Sequence, residues 1–199
     1  MYNEALKEKI KQDLKESLSK HRYTHVLGVA AKARELASQY GGDLDQAEVA
    51  GLLHDAAKQK PLEEMQQLAR RSFGDSLPTA VMSAGGLLHG YAAVTIARET
   101  YGIQDETLLA ALAHHTTGAE HMGTLEKIIF IADYIEVNRD FDGVETLRQL
   151  AAADLNRAVL AGYDSTISHL LAQEKTIYAG TVINRNALLL AMQADRKEK

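Results

Sequence analysis

Apolar residues recur every three to four positions through most of this 199-residue chain, and runs that alternate apolar with polar are scarce. That is the period of a helix and not of a strand, so the chain is restricted to an all-α class. The pattern predicts helices at about 3–19, 21–40, 43–58, 61–72, 90–101, 105–115, 124–135, 143–173 (with room for a break inside it) and 182–195. The punctuation agrees. Gly41-Gly42 closes one segment and Asp43 can cap the next, Pro61 opens another, and Gly85-Gly86 and Gly102 mark further breaks. With two prolines and no linker-like stretch, one helical bundle spanning 1–199 is the expected organisation.

Composition narrows the chemistry. A net charge of −5 argues against a general nucleic-acid surface but leaves room for a local basic pocket. There is no cysteine, so disulfides and thiolate metal sites are excluded and any metal must be held by nitrogen and oxygen. The N-terminus runs into a charged amphipathic stretch without a signal-peptide pattern, and no apolar run approaches the ~20 residues of a membrane span. A cytoplasmic protein that binds neither membrane nor nucleic acid is expected.

Several chemically capable side chains fall on or beside the apolar faces. Leu44, Ala47, Gly51, His54 and Lys58 share helical spacing, which sets His54 at the inward face with Asp55 beside it and Lys58 one turn on. A carboxylate near a core needs a cationic partner or a metal. His25 lies one turn before Val29, on the side continued by Ala33 and Leu36; alone it reads as a satisfied helix-face histidine before it reads as a ligand. His21, four residues earlier, either pairs with it around a metal or caps the helix. His89 falls at an expected helix start, where outward N–H groups favour anions, so loop histidine, phosphate contact and metal ligand are all open. His115 faces inward after Leu108 and Leu112 while His114 points further round, and Thr116-Thr117-Gly118 is either a polar cap or the hydroxyl-bearing edge of a site. Asp133 interrupts the apolar run Ile128–Ile135 and demands a positive partner, whether metal, Arg139 or Arg148.

In order, His25, His54-Asp55, His89, His115 and Asp133 resemble the HD-domain metal-dependent phosphohydrolases, named for a pair such as His54-Asp55. More closely the chain is similar to the bacterial YqeK family of symmetrical diadenosine tetraphosphate hydrolases. The stretches that carry the likeness are Arg22-Tyr23-Thr24-His25, Leu53-His54-Asp55-Ala56-Ala57-Lys58, Leu87-Leu88-His89-Gly90, His114-His115-Thr116-Thr117-Gly118 and Ala132-Asp133-Tyr134-Ile135-Glu136. It extends from about Lys20 to Leu190. The resemblance implies a single HD domain with its core at about 20–136 and the N-terminal and C-terminal helices packed on it. It implies an iron centre at His25, His54, Asp55 and Asp133, with His89 and His115 completing a second metal site or touching phosphates. It also implies nucleotide contacts at Arg22, Asp55, Ala56, Ala57, Lys58, His89, His115, Thr116, Asp133 and Arg139, and in a loop formed by Thr176, Ile177, Tyr178, Ala179, Gly180 and Thr181. Val137 and Ala179 stand where the family often has proline, and Asn184-Arg185-Asn186 replaces a more usual Ala-Arg-Asn; these departures bear on base binding, not on the metal.

Imidazole and carboxylate ligands suit iron, manganese, cobalt or zinc, with iron favoured by the resemblance. Such an ion acidifies a bound water, and Asp55, having two oxygens, is the natural bridge between two ions ~3.5–4 Å apart. Arg22, Lys58 and Arg139 are placed to neutralise phosphate charge, and His89 or His115 to protonate the leaving phosphate. Asp55, Lys58, His89 and His115 are therefore the catalytic candidates. The expected reaction is hydrolysis of diadenosine tetraphosphate to two ADP, with substrate and symmetry implied by the resemblance. The alternatives are another HD-type nucleotidase or phosphodiesterase (a guanosine alarmone hydrolase, for example), a nucleotide-binding regulator, and a metal-free scaffold.

Overall fold

Short polar side chains write the helix starts into the sequence. Asn3, Ser19, Asp43, Asp105 and Asp154 each turn a side-chain oxygen onto an amide of the first turn, satisfying donors that the helix itself cannot. The computed structural model describes residues 2–197, so the outermost residues of the expected 1–199 domain lie outside the description. Among the described residues there are eleven helices and no strand. They are α1 (Glu4–Ser17), α2 (Lys20–Tyr40), α3 (Leu44–Leu53), α4 (Leu62–Phe73), α5 (Thr79–Met82), α6 (Gly85–Tyr101), α7 (Glu106–His114), α8 (Thr124–Ile135), α9 (Val144–Ala153), α10 (Leu155–Ala172) and α11 (Ala179–Lys197). The all-helical expectation holds.

Four boundaries differ from the periodicity, each for a local reason. The third helix stops at Leu53, because the chain tightens into turns in which Ala56 N–H donates to Leu53 O (3.0 Å) and Lys58 N–H to Asp55 O (2.9 Å). Asp55 and Lys58 therefore stand on turns and not on a helix face. Asp154 breaks the 143–173 segment, ending α9 with its own N–H and capping α10 with its side chain. Gly85-Gly86 opens α6, so His89 lies one turn inside a helix and not at its start. At the other end of the chain, α11 begins at Ala179 and takes Ala179, Gly180 and Thr181 out of the expected loop. The short α5 has no counterpart in the periodicity.

The main core fills the space between α2, α3, α7 and α8, where Leu52, Leu53, Leu108, Leu112, Ile128 and Ile129 are fully buried. A smaller apolar cluster of Met65, Leu68, Val81 and Leu88 lies between α4 and α6. α7 packs between α6 and α8, and α3 lies against α2, α7 and α8, so all five helices turn an end or a face toward one interior region. Gly90 makes the α6–α7 approach possible. A Cβ there would stand 2.6 Å from the Leu112 carbonyl oxygen and 3.0 Å from the His115 ring. At the N-terminal end, Lys7 is buried and bonds Asp45 (2.9 Å) and Glu48 (3.1 Å), tying α1 to α3.

Candidate metal centre

His25 comes from α2, His54 and Asp55 from the turn after α3, His89 from α6, His115 from the end of α7, and Asp133 from α8. These six meet in one cluster. His25, His54, Asp55, His89 and His115 are each 4 % exposed or less, and Asp133 is half-buried. Three overlapping trios (His25 with His54 and Asp55, His54 with His115 and Asp133, Asp55 with His89 and His115) each present ligand atoms within 4.8 Å of one another.

Asp55 divides the cluster into two ends. Its Oδ2 lies 3.5 Å from His54 Nε2 and 3.8 Å from His25 Nε2, and accepts from Arg22 at 2.6 Å. Its Oδ1 lies 3.1 Å from His89 Nε2 and 3.9 Å from His115 Nε2. Beyond His25, Asp133 Oδ1 stands 3.0 Å from His25 Nε2.

All four imidazoles are oriented the same way. Their Nδ1 atoms meet acceptors outside the cluster: His25 meets Glu136 Oε1 at 3.1 Å, His54 meets Gly51 O at 2.7 Å, His89 meets Gly85 O at 3.2 Å and His115 meets Leu112 O at 2.8 Å. Carbonyl and carboxylate oxygens only accept, so each Nδ1 carries a proton, and the neutral tautomer this selects turns an Nε2 lone pair inward. His25 Nε2 and His54 Nε2 are buried without a hydrogen-bond partner, although Asp133 Oδ1 is close to the first. Lone pair faces carboxylate there, an arrangement that a cation reconciles. His89 Nε2 and His115 Nε2 sit 2.8 Å apart, and with both Nδ1 protons committed only a proton or a cation can lie between them. Outward-tied Nδ1 with inward Nε2 is the pattern of metal-ligating histidine, and this nitrogen–oxygen set fits a divalent transition ion.

The charges agree with that fit. Burial pushes the Asp55 carboxyl up, but His54, His89 and Lys58 beside it outweigh burial and hold it well below the usual carboxylate range. Asp133 is likewise raised by burial and lowered more strongly by His25, His54 and Arg139. Both are ionised at neutral pH. Burial lowers His54, and burial with His89 and His54 nearby lowers His115 to about 3, so these rings stay neutral and keep their lone pairs.

Most of the residues singled out in the sequence come together here. Lys58 Nζ reaches His89 Nε2 at 3.2 Å, and Thr116 Oγ1 lies 3.1 Å from His115 Nε2. Arg139 bonds both the carboxylate and the backbone carbonyl of Asp133 (the latter at 2.7 Å), whereas Arg148 instead bonds the carbonyls of Ile135, Glu136 and Arg139. His114 turns away to Glu126, which makes His115 the inward member of its pair. His21 is exposed and Ser19 is the cap, so the His21–His25 pairing is not formed. Ala57 is wholly buried in the smaller core cluster, and Ala56 is 8 % exposed. Thr176 is exposed, Tyr178 packs on the smaller core cluster and Thr181 is buried.

Glu136 was not singled out as a functional residue. It is 1 % exposed, its Oε2 accepts from Asn138 N–H (2.7 Å) and Asn138 Nδ2 (2.9 Å), and its Oε1 faces His25. Gly28, one turn after His25, leaves the room: a Cβ there would stand 2.2 Å from Glu136 Oε2. The one available sequence signal was a carboxylate directly ending the apolar run of α8.

A family model described as HD domain matches residues 22–138. The chain belongs to the HD domain family. The matched range opens at Arg22 and closes at Asn138, so it contains all six cluster residues together with Glu136 and its clamp, while α1 and α9 to α11 lie outside it. The chain is 43% identical over 179 residues to a Halalkalibacterium halodurans protein named bis(5'-nucleosyl)-tetraphosphatase, symmetrical, covering 90% of this chain and 95% of that one. A Bacillus subtilis protein of the same name is 37% identical over 177 residues, covering 88% and 94%. A solved structure from Clostridium acetobutylicum, described as a predicted HD superfamily hydrolase involved in NAD metabolism, matches with a TM-score of 0.88 at 40% identity over 92% of this chain and 97% of that one.

Proposed function

We propose that this HD-domain protein is a divalent-metal-dependent hydrolase that cuts diadenosine tetraphosphate symmetrically into two molecules of ADP. The reading is carried by one observation: four imidazoles from four parts of the chain turn inward lone pairs onto two ionised carboxylates. Relatives sharing 37% to 43% of its residues and bearing the symmetrical tetraphosphatase name support the choice of substrate. His25, His54, Asp55 and Asp133 would hold the principal ion, and His89, His115 and the second oxygen of Asp55 a further one. Iron is the first expectation, and manganese, cobalt and zinc suit the same ligands. Such an ion acidifies a bound water toward neutrality and polarises a phosphate oxygen.

The chain's own groups bind, orient and supply protons. Arg22 and Arg139 flank the His25–Asp133 end and Lys58 the His89 end, so polyphosphate charge is met from both sides. His115 keeps its lone pair turned toward His89, and Lys58, whose Nζ lies 3.2 Å from His89 Nε2, is the N–H donor at that end for the departing phosphate. Thr116 adds a hydroxyl at the same end, while Thr176 to Tyr178 and the first turn of α11 would contact one nucleotide. No helix among the described residues is long and apolar enough to cross a membrane, and the reading places a small dinucleotide, not nucleic acid, at this site in the cytoplasm.

The deciding experiment incubates the protein with diadenosine tetraphosphate and ferrous, manganous or cobaltous ion, with and without chelator. Metal-dependent release of ADP alone is expected. AMP plus ATP would overturn the symmetry, and binding without turnover would favour a regulator.

A further inference from the structure

We infer that a cavity on the Asp133 side of the cluster receives the second nucleoside of the substrate, with Phe141 as the stacking surface for its base. The inference rests on the dinucleotide reading above. A symmetric cut places the bridge between the second and third phosphates at the centre, so the two nucleosides must leave it in different directions. The His89–His115 end adjoins Thr116 and, through Thr117 O accepting from Asn184 at 3.0 Å, the start of α11; that end serves one half. The other half must lie beyond His25 and Asp133.

Two cavities open there, on either side of Arg139. One, of about 580 Å³, is lined by Lys20, His21, Arg22 and Asn138, a cationic and hydrophilic wall suited to phosphate. The other, of about 400 Å³, runs from Asp133 and Arg139 to Tyr134, Phe141, Ser165 and His169. Its size falls in the range of small-ligand sites. Aromatic faces together with hydroxyl and imidazole groups match a base and a ribose, which need a stacking plane and a few hydrogen bonds. Phe141 is the telling residue. It is 36% exposed on the segment between α8 and α9, and it belongs to neither apolar core cluster, so folding gives it no evident task.

The chain contains no tryptophan, so Phe141→Trp installs a single fluorescent reporter at the site. In manganese-loaded protein, a methylene-bridged analogue of diadenosine tetraphosphate should quench that fluorescence saturably, and inorganic tripolyphosphate should not. Phe141→Ala should raise KM for the dinucleotide roughly tenfold with kcat and melting temperature kept, and Phe141→Tyr should restore KM. Absent quenching, an unchanged KM, or a loss confined to kcat, while the unaltered protein still releases ADP, would overturn this pocket alone. An unaltered protein that leaves the dinucleotide intact would overturn the underlying reading as well.

Discussion

Glu136 holds His25 through the ring nitrogen that faces away from the cluster, and Asn138 fixes the carboxylate in turn. Glu136→Gln keeps the shape and removes the charge that strengthens the inward lone pair. Divalent-ion affinity should fall about 10–100-fold, read by competition with a chromophoric chelator, with helix content unchanged. An affinity equal to that of the unaltered protein would mean that His25 needs no such support. Gly28→Ala drives a methyl into the Glu136 carboxylate and should lower affinity in the same direction. Asp55→Ala removes the oxygens facing both ends and should abolish turnover while far-ultraviolet circular dichroism stays the same. At this scale the sequence was informative wherever a polar group sat against apolar neighbours: Asp133 inside Ile128–Ile135 had to have a cationic partner, and it has Arg139 beside it and His25 against it. Glu136 escaped notice because its reason for being there, His25, is 111 positions away.

The helices were legible where one face is apolar and a polar cap precedes it, as in α2 and α7. They were misread where glycine or aspartate reverses its usual sense. Gly85-Gly86 begins α6 instead of separating it from its predecessor, and Asp154 both ends one helix and starts another. Ala56, Ala57 and Lys58 are good helix formers and favour a continued helix after α3, whereas burial of Ala57 in the smaller core goes with i to i+3 bonding there. Gly90 carries the sharpest consequence at this scale. Gly90→Ala has to push α6 off the end of α7, and should cost about 1–3 kcal/mol, seen as a lower melting temperature. It should weaken metal binding too, since the His115 ring lies against the same point. A variant as stable as its parent would show that the two helices have slack between them.

Across the whole molecule, the buried cluster makes stability depend on pH and on metal. His115 is held near 3 against an ordinary 6.5, so below pH 6.5 the unfolded chain takes a proton that the folded chain refuses. Asp55 and Asp133 are depressed below 3.8, and their contribution is present above that value and lost as pH falls through it. Both effects have one sign but different ranges: the melting temperature of chelated protein should fall from about pH 6.5 toward pH 4 on account of His115, with the carboxylates adding to the loss only below 3.8, and a flat profile between pH 6.5 and 4 would contradict the burial of His115. Adding ion at about 100 times its dissociation constant should restore about 2.7 kcal/mol at neutral pH. A final consequence follows from how the rings are anchored. His54 and His115 each lean on a carbonyl three residues back and His89 on one four back, so three corners of the centre are prefabricated within their own stretches of backbone. His25 alone takes its bearing from a distant residue, which makes the seam between α2 and the end of α8 the latch. When the protein breathes, that corner should come undone first, and the ion should enter and leave there.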